Sequence, residues 1–188
     1  LMLAASLWST SGVLIKLIVW QPLAIMAGRS TVAVVVLLIY LRRVERRPTK
    51  AQLLGIASFL ATQALFITAT KLTSAANAIF LQYTAPVYVV LLGAWWLDER
   101  PQRADWLSLG VILVGMVCFF GERLSLDGLV GNFLALLSGV TLALMTVAIR
   151  RVAQQSRDPR APAQVMLTAH ILGALIGAPR MWAVSITC

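Results

Sequence analysis

Charged residues are scarce in this sequence. Only 12% of its 188 residues are Asp, Glu, Lys or Arg, whereas 60% are apolar and the mean hydropathy is +0.85. In a soluble domain about a quarter of the residues are charged and roughly half are apolar. The deficit excludes a soluble globular protein and indicates an integral membrane protein.

Cysteine and histidine are also nearly absent, with two cysteines, Cys118 and Cys188, and one histidine, His170. Two cysteines cannot build a disulfide framework or a four-ligand zinc site. The apolar runs contain no Asp or Glu, and one histidine alone cannot supply the ligands of an intramembrane metal hydrolase. No serine shares a helix face with His170, so a serine nucleophile would lack a base. We therefore expect no enzymatic activity, no metal and no cofactor.

Seven apolar runs approach the length of about 20 residues that a membrane helix needs. They are Met2–Trp20, Leu23–Leu41, Ala51–Thr70, Leu72–Leu97, Trp106–Gly121, Gly128–Ile149 and Ala161–Pro179. The first run has no basic flank and no cleavage-like end, so we predict a helix there rather than a signal peptide. The runs between them are short and polar and leave no room for a soluble domain. The sequence predicts an all-α integral membrane protein, a multi-span helical bundle in the plasma (inner) membrane.

The positive charges lie between the apolar runs and give the orientation. Lys and Arg number 16 against 7 acidic residues, a net charge of +9. Three loops on one side carry eleven of the cations, whereas the opposite loops carry only Lys71, Arg123 and Arg180. Cytoplasmic loops are the ones enriched in Lys and Arg, which predicts a cytoplasmic N-terminus. The membrane topology thus accounts for the positive net charge, and no nucleic-acid partner is needed to explain it. We expect the lipid bilayer and a small molecule as partners.

The first and sixth runs resemble each other, since each is rich in small apolar residues and closes on a cation, Lys16 or Arg150. Five spans precede the second copy, and an odd number of crossings inverts it in the membrane. Inverted repeats are typical of secondary transporters. We predict a first five-helix repeat at 1–125 and, at 126–188, the first two helices of an inverted and incomplete second repeat. We accordingly expect the chain to be a fragment.

The fourth run carries the most distinctive sequence. Residues 72–81 read LTSAANAIFL, residues 85–87 read APV and residues 97–101 read LDERP. Together with Ser6-Leu7-Trp8 and Arg29, they resemble the EamA-type transporters of the drug/metabolite transporter superfamily, over essentially the whole chain. The resemblance implies a ten-helix carrier of small metabolites, often amino acids or related compounds and commonly exported. It also implies alternating access around a central cavity between two repeats.

Polar residues inside the spans are the candidates for lining such a cavity, because a polar group in lipid is costly unless it is paired or faces water. Four residues of the fourth run share one face at the 3.6-residue period, namely Ser74, Asn77, Thr84 and Tyr88. Such a stripe either lines a cavity or makes interhelical hydrogen bonds. Candidates on the other spans, expected to face the stripe, are Trp8, Ser11, Gln63 and Thr141.

Two residues suggest special roles within their spans. Pro86 predicts a kink in the fourth run, because its ring clashes with the carbonyl of Gln82. The kink is either a gating hinge or one of the prolines common in membrane helices. Arg29 lies about six residues, or ~9 Å, inside its span. It is either a structural anchor or ion-pair partner, or a site for a substrate anion.

Three further features have a structural and a functional interpretation. Lys16 is expected to extend its side chain to the lipid headgroups. His170 either relays protons or bonds to a neighbouring helix. Gly173 and Gly177 form a GxxxG pair that predicts a packing face whose partner is not evident from the sequence.

Two other functions stay open. A pump of the small multidrug-resistance type relies on a glutamate in its first span, and none of the seven runs contains an acidic residue. A non-transporting membrane scaffold would form a bundle without a central hollow. The sequence does not indicate whether the protein forms a homodimer.

Overall fold

The computed structural model describes residues 14–41, 48–98, 101–120 and 128–187. Within these ranges the chain is helical and contains no strand, which confirms the predicted all-α class. The helices are α1 (Pro22–Leu41), α2 (Lys50–Leu72), α3 (Ala75–Gln82), α4 (Ala85–Trp96), α5 (Arg103–Phe120), α6 (Leu129–Gln155) and α7 (Ala161–Thr187). A single helical turn at 14–17 precedes α1.

Five segments of the described ranges are long and apolar enough to cross a membrane. They are α1, α2, α3 together with α4, α6, and α7 as far as Arg180. The fifth predicted run coincides with α5, which has Arg103 and Asp105 in its first turn and is not one of the five. Most of the first predicted run, Met2–Trp20, lies outside the described residues. The chain is a multi-pass membrane protein.

Helix α6 lies at the centre of the bundle and contacts α2, α3, α4 and α7. It runs antiparallel to α2, because Asn132 near its start meets Thr73 at the end of α2, whereas Ala148 near its end meets Gly55 near the start of α2. A Cβ added to Gly55 would lie 3.7 Å from the Ala148 methyl group. Small residues therefore let the two backbones approach closely, as is common between membrane helices.

Helices α1 and α7 form a second antiparallel pair. Gly177 contacts the first turns of α1, Gly173 contacts Ser30 in its middle, and the guanidinium of Arg160 lies 6.0 Å from the ring centre of Tyr40 near its end. The GxxxG pair thus has α1 as its partner. Helix α7 also contacts α2, and α2 contacts α1.

Two apolar cores hold the bundle together. The first joins α1, α2, α3 and α6 around Ile25, Ile67 and Ala78. The second joins α2, α6 and α7 around Ile56 and Val165. Many large apolar side chains on α1 and α5 face outward instead, where lipid tails can cover them in place of water.

Candidate functional site at the break in the fourth span

The fourth span is broken near its middle. α3 ends at Gln82 after 8 residues and α4 begins at Ala85, so that Tyr83 and Thr84 form a turn between them. Pro86 lies in the first turn of α4. It has no N–H to donate to the Gln82 carbonyl, and its ring would clash with that carbonyl in a regular helix, which favours a kink or a break here. The helix is thus interrupted just before Pro86, where a kink was predicted, and a gating role for Pro86 stays a prediction.

The break lies against α6 at Gly139. A Cβ on Gly139 would lie 3.0 Å from the carbonyl oxygen of Gln82 and 3.1 Å from Oγ1 of Thr84. The Thr84 hydroxyl donates to the carbonyl of Leu81 at 2.7 Å. Because Gly139 has no side chain, the carbonyls and the hydroxyl of the break reach the surface of α6 directly.

The break changes the predicted polar stripe of the fourth span. Ser74 lies outside the helical body as the exposed N-cap of α3, and its hydroxyl oxygen accepts a 3.0 Å bond from the Asn77 N–H. Thr84 belongs to the turn, and Tyr88 is half-buried on α4. A 3.6-residue period aligns side chains only along one uninterrupted helix. The stripe predicted through these four residues therefore crosses a break between two helices, and its role as a cavity wall stays a prediction.

Asn77 belongs to a buried polar cluster with Thr73 and Asn132, which we call the Thr73 cluster. The side chain of Asn77 is 1% exposed. Its Nδ2 lies 3.3 Å from Oδ1 of Asn132 and 3.4 Å from Oγ1 of Thr73, whose hydroxyl donates to Asn132 at 2.8 Å. In this conformation Asn77 links α3 to α6, which is the interhelical alternative that the sequence left open. Its role as a cavity residue stays a prediction.

A second polar contact joins α2 and α6 closer to the middle of the bundle. The hydroxyl oxygens of Thr62 and Thr141 lie 2.8 Å apart, and each is within hydrogen-bond distance of a carbonyl of its own helix. Gln63, beside Thr62, is half-buried. The structure thus places Thr141 at a helix contact. The other two cavity candidates, Trp8 and Ser11, lie outside the described residues.

Two lysines tie the segment before α1 to the end of α2. Lys16 Nζ donates to the carbonyls of Thr70, at 3.2 Å, and Thr73, at 2.8 Å. Lys71 donates to the carbonyl of Ile18. The last carbonyls of a helix lack partners within it, and cations bind there favourably. The expectation that Lys16 extends to the headgroups was therefore wrong.

Arg29 lies two turns into α1 with an exposed side chain. Within the described ranges it makes no ion pair or hydrogen bond through its guanidinium. The acidic residues on the predicted outer side, Glu122 and Asp127, lie outside the described residues, so the structural anchor or ion pair stays a prediction. Its side chain contributes to the lining of a mainly apolar cavity of about 280 Å³ between α1 and the segment before it.

His170 contacts both α1 and α2. Its Nδ1 lies 3.3 Å from Oγ of Ser30, and its ring stands edge-on to Phe59 with the ring centres 4.7 Å apart. This is the neighbouring-helix contact that the sequence offered as one alternative. Among the residues that the structure describes, no group of His, Cys, Asp and Glu is arranged to hold a metal ion.

Sequence reasoning missed the contact residues Thr62, Thr73, Asn132 and Gly139. Asn132 lies inside the sixth apolar run, so the test for polar residues within spans would have found it. Gly139 carries no polar signal. Gly139 matters because it lets the break between α3 and α4, more than 50 residues away in the sequence, lie directly against α6.

The comparison with known proteins agrees with this architecture. Residues 1–121 match the EamA-like transporter family. The chain belongs to this family. An uncharacterized transporter of Helicobacter pylori strain J99 is 33% identical to the EamA-family chain over 91 residues. The match covers 48% of the chain and 30% of the relative's length. No solved structure matches the chain significantly.

Proposed function

We propose that this EamA-family protein is a secondary transporter that exports small metabolites, amino acids or related compounds, by alternating access between two repeats. The broken fourth span is the observation that carries the proposal. In transporters with inverted repeats, discontinuous helices meet the other repeat at the substrate site near the membrane midplane. Here the break between α3 and α4 rests on α6, the first helix of the predicted second repeat.

The two half-helices offer complementary electrostatics to a substrate. The C-terminal end of α3 presents the partial negative charge of its last carbonyls, and the N-terminal end of α4 presents partial positive charge. An amino acid carries an ammonium and a carboxylate group, which match these two ends. The hydroxyl of Thr84 adds a hydrogen-bonding group at the break, and we expect the predicted cavity residue Tyr88 to add another. This chemistry favours zwitterionic metabolites over purely apolar ones.

The composition of the spans favours this function over the alternatives. Within the five candidate spans of the described ranges there is no Asp or Glu, so a pump using an intramembrane glutamate has no such group there. An interrupted helix has backbone N–H and C=O groups that lose their partners within the helix and need other partners in lipid. A non-transporting scaffold has no use for such an interruption. Transporters are not enzymes, and we propose no catalytic residue. We place the protein in the plasma membrane with its N-terminus in the cytoplasm.

Export of a metabolite panel from cells that express the protein tests the proposal. The informative variant is Thr84→Val, which removes the hydroxyl at the break while keeping the side-chain shape. The matched control is Thr168→Val on α7, because the Thr168 hydroxyl likewise donates to a carbonyl of its own helix, at 3.0 Å from Gln164. We expect Thr84→Val to lower the transport rate about tenfold, a loss of about 1.4 kcal/mol in transition-state stabilisation, and the control to stay near the wild-type rate. Equal rates for both variants at equal expression would contradict a substrate site at the break.

A further inference from the structure

The antiparallel pair of α2 and α6 joins the first predicted repeat to the second at both ends of the bundle. A Cβ added to Gly55 would lie 3.7 Å from that of Ala148, and at the opposite end the Thr73 hydroxyl donates to Asn132 at 2.8 Å. Gly55 and Thr73 are 18 residues apart, about 27 Å along a helix, which is close to the ~30 Å thickness of the hydrocarbon layer. The two helices are therefore in contact across nearly the whole membrane.

The pair of α1 and α7 also joins the two predicted repeats, and it is held at both ends and in its middle. Gly177 lies against the first turns of α1. In the middle, Nδ1 of His170 lies 3.3 Å from Oγ of Ser30. At the other end the guanidinium of Arg160 lies 6.0 Å from the ring centre of Tyr40.

The two pairs pack against each other through α2 and α7. A Cβ added to Gly55 would lie 3.1 Å from Cγ1 of Val165, and the rings of Phe59 and His170 have centres 4.7 Å apart. Together α1, α2, α6 and α7 form one packed body, which we call the four-helix frame. The frame contains two helices of each predicted repeat. Close-packed interfaces of this kind do not deform continuously.

The broken fourth span lies beside the frame and contacts it at both ends. Near the start of α3, Nδ2 of Asn77 lies 3.3 Å from Oδ1 of Asn132. At the end of α4, Arg151 donates to the carbonyl of Trp96. Between these contacts the helix is interrupted by the two-residue turn that joins α3 to α4. Hinges are usually a few such residues at the ends of elements, because they absorb large changes in φ and ψ.

We propose that the four-helix frame stays rigid during transport and that access alternates by bending of the fourth span at the turn between α3 and α4. This inference rests on the proposed function and names the elements that move. Motion of one whole repeat against the other would open the α2–α6 and α1–α7 contacts at one face of the membrane. Bending at the turn changes only a few backbone angles and leaves both pairs intact.

Two disulfides, each introduced after both native cysteines are replaced by serine, distinguish the two motions. Gly55→Cys with Ala148→Cys cross-links the frame, since a Cβ–Cβ distance of 3.7 Å lies within the range of about 3.5–4.5 Å that disulfides need. Thr84→Cys with Gly139→Cys cross-links the break to α6, because Oγ1 of Thr84 lies 3.1 Å from a Cβ added to Gly139. Each variant serves as its own control when it is reduced with dithiothreitol.

The readout is efflux of a mixture of the twenty common amino acids from proteoliposomes, quantified by mass spectrometry. We expect the frame disulfide to leave the efflux rate within about twofold of the reduced form and the break disulfide to lower it at least about tenfold, as expected when a gating motion is blocked. A tenfold loss with the frame disulfide, or no loss with the break disulfide, overturns the inference and leaves the proposed function intact. Absence of efflux from the wild type would instead contradict the proposed function.

Distances between nitroxide labels, measured by double electron–electron resonance, test the inference without cross-links and without transport. Leu53 on α2, Leu91 on α4 and Phe133 on α6 are exposed and accept labels. Labels at Leu53 and Phe133 report on the frame, and labels at Leu91 and Phe133 report on the fourth span. We expect one narrow distance across the frame and at least two distances across the fourth span once the amino-acid mixture is added. Two distances across the frame, or a single unchanged distance across the fourth span, would refute the rigid frame.

Discussion

Replacing Gly177 by Ala perturbs the close contact between α1 and α7. The added Cβ would collide with the carbonyl oxygen of Leu23 and lie 2.7 Å from the Cβ of Ala27. Neither atom can rotate away, so the helices must separate. Overpacking of this kind costs about 1–3 kcal/mol, and the better helix propensity of Ala returns at most about 1 kcal/mol. We expect a net loss of roughly 1–2 kcal/mol in the free energy of unfolding.

The matched control is Gly110→Ala on α5, because a Cβ at Gly110 meets no atom within 4 Å. This variant receives only the gain in helix propensity, about 0.5–1 kcal/mol. Gly173→Ala should fall between the two, since its Cβ would meet Oγ of Ser30 at 2.9 Å and that hydroxyl can rotate.

Unfolding of the purified protein by SDS in mixed micelles, followed by far-ultraviolet circular dichroism, measures all three variants. The midpoint should move to lower SDS for Gly177→Ala and to equal or higher SDS for Gly110→Ala. If Gly177→Ala raises the midpoint as much as the control does, the close approach of α1 and α7 is refuted.

Three more predictions concern two contacts elsewhere in the bundle and the orientation of the chain in the membrane. Asn77→Ala should lower the free energy of unfolding by about 1–2 kcal/mol in the SDS assay, because it removes buried hydrogen bonds to α6; a change near zero would contradict the Thr73 cluster. Arg151→Ala should cost about 1 kcal/mol, since its guanidinium lies 5.4 Å from the ring centre of Trp96 and also donates to the carbonyl of that residue; a wild-type midpoint would contradict this contact. A reporter fused after Arg157 should be active only as a cytoplasmic fusion and one after Lys71 only outside, and the reverse pattern would overturn the predicted orientation.

Features that depend on local chemistry could be predicted from the sequence. Long apolar runs specify membrane helices, since the bilayer leaves the backbone few other ways to satisfy its hydrogen bonds. The break in the fourth span follows from Pro86, whose effect is confined to its own helix. The family resemblance also depends on short runs that lie close together in the chain.

Features that depend on the approach of distant segments were not predictable. The Lys16 ammonium can bind either lipid headgroups or the carbonyls at the end of a helix. It binds the carbonyls here only because α2 ends nearby. The phase of the polar residues after Thr84 depends on how the two half-helices are joined. For Arg29 the sequence indicated a charge inside a span, but only the fold shows that its side chain is exposed and lines a cavity.

The central position of α6 has a consequence for how the protein is made. The Thr73 cluster joins residues 59 positions apart, so the ribosome must add that length of chain before Asn132 can reach Thr73. At about 5–20 residues per second, the delay is roughly 3–12 s. During this interval the polar groups of α2 and α3 have inserted without their partner on α6. We expect the early spans to stay beside the insertion machinery, or to be held by another membrane protein, until the sixth span arrives.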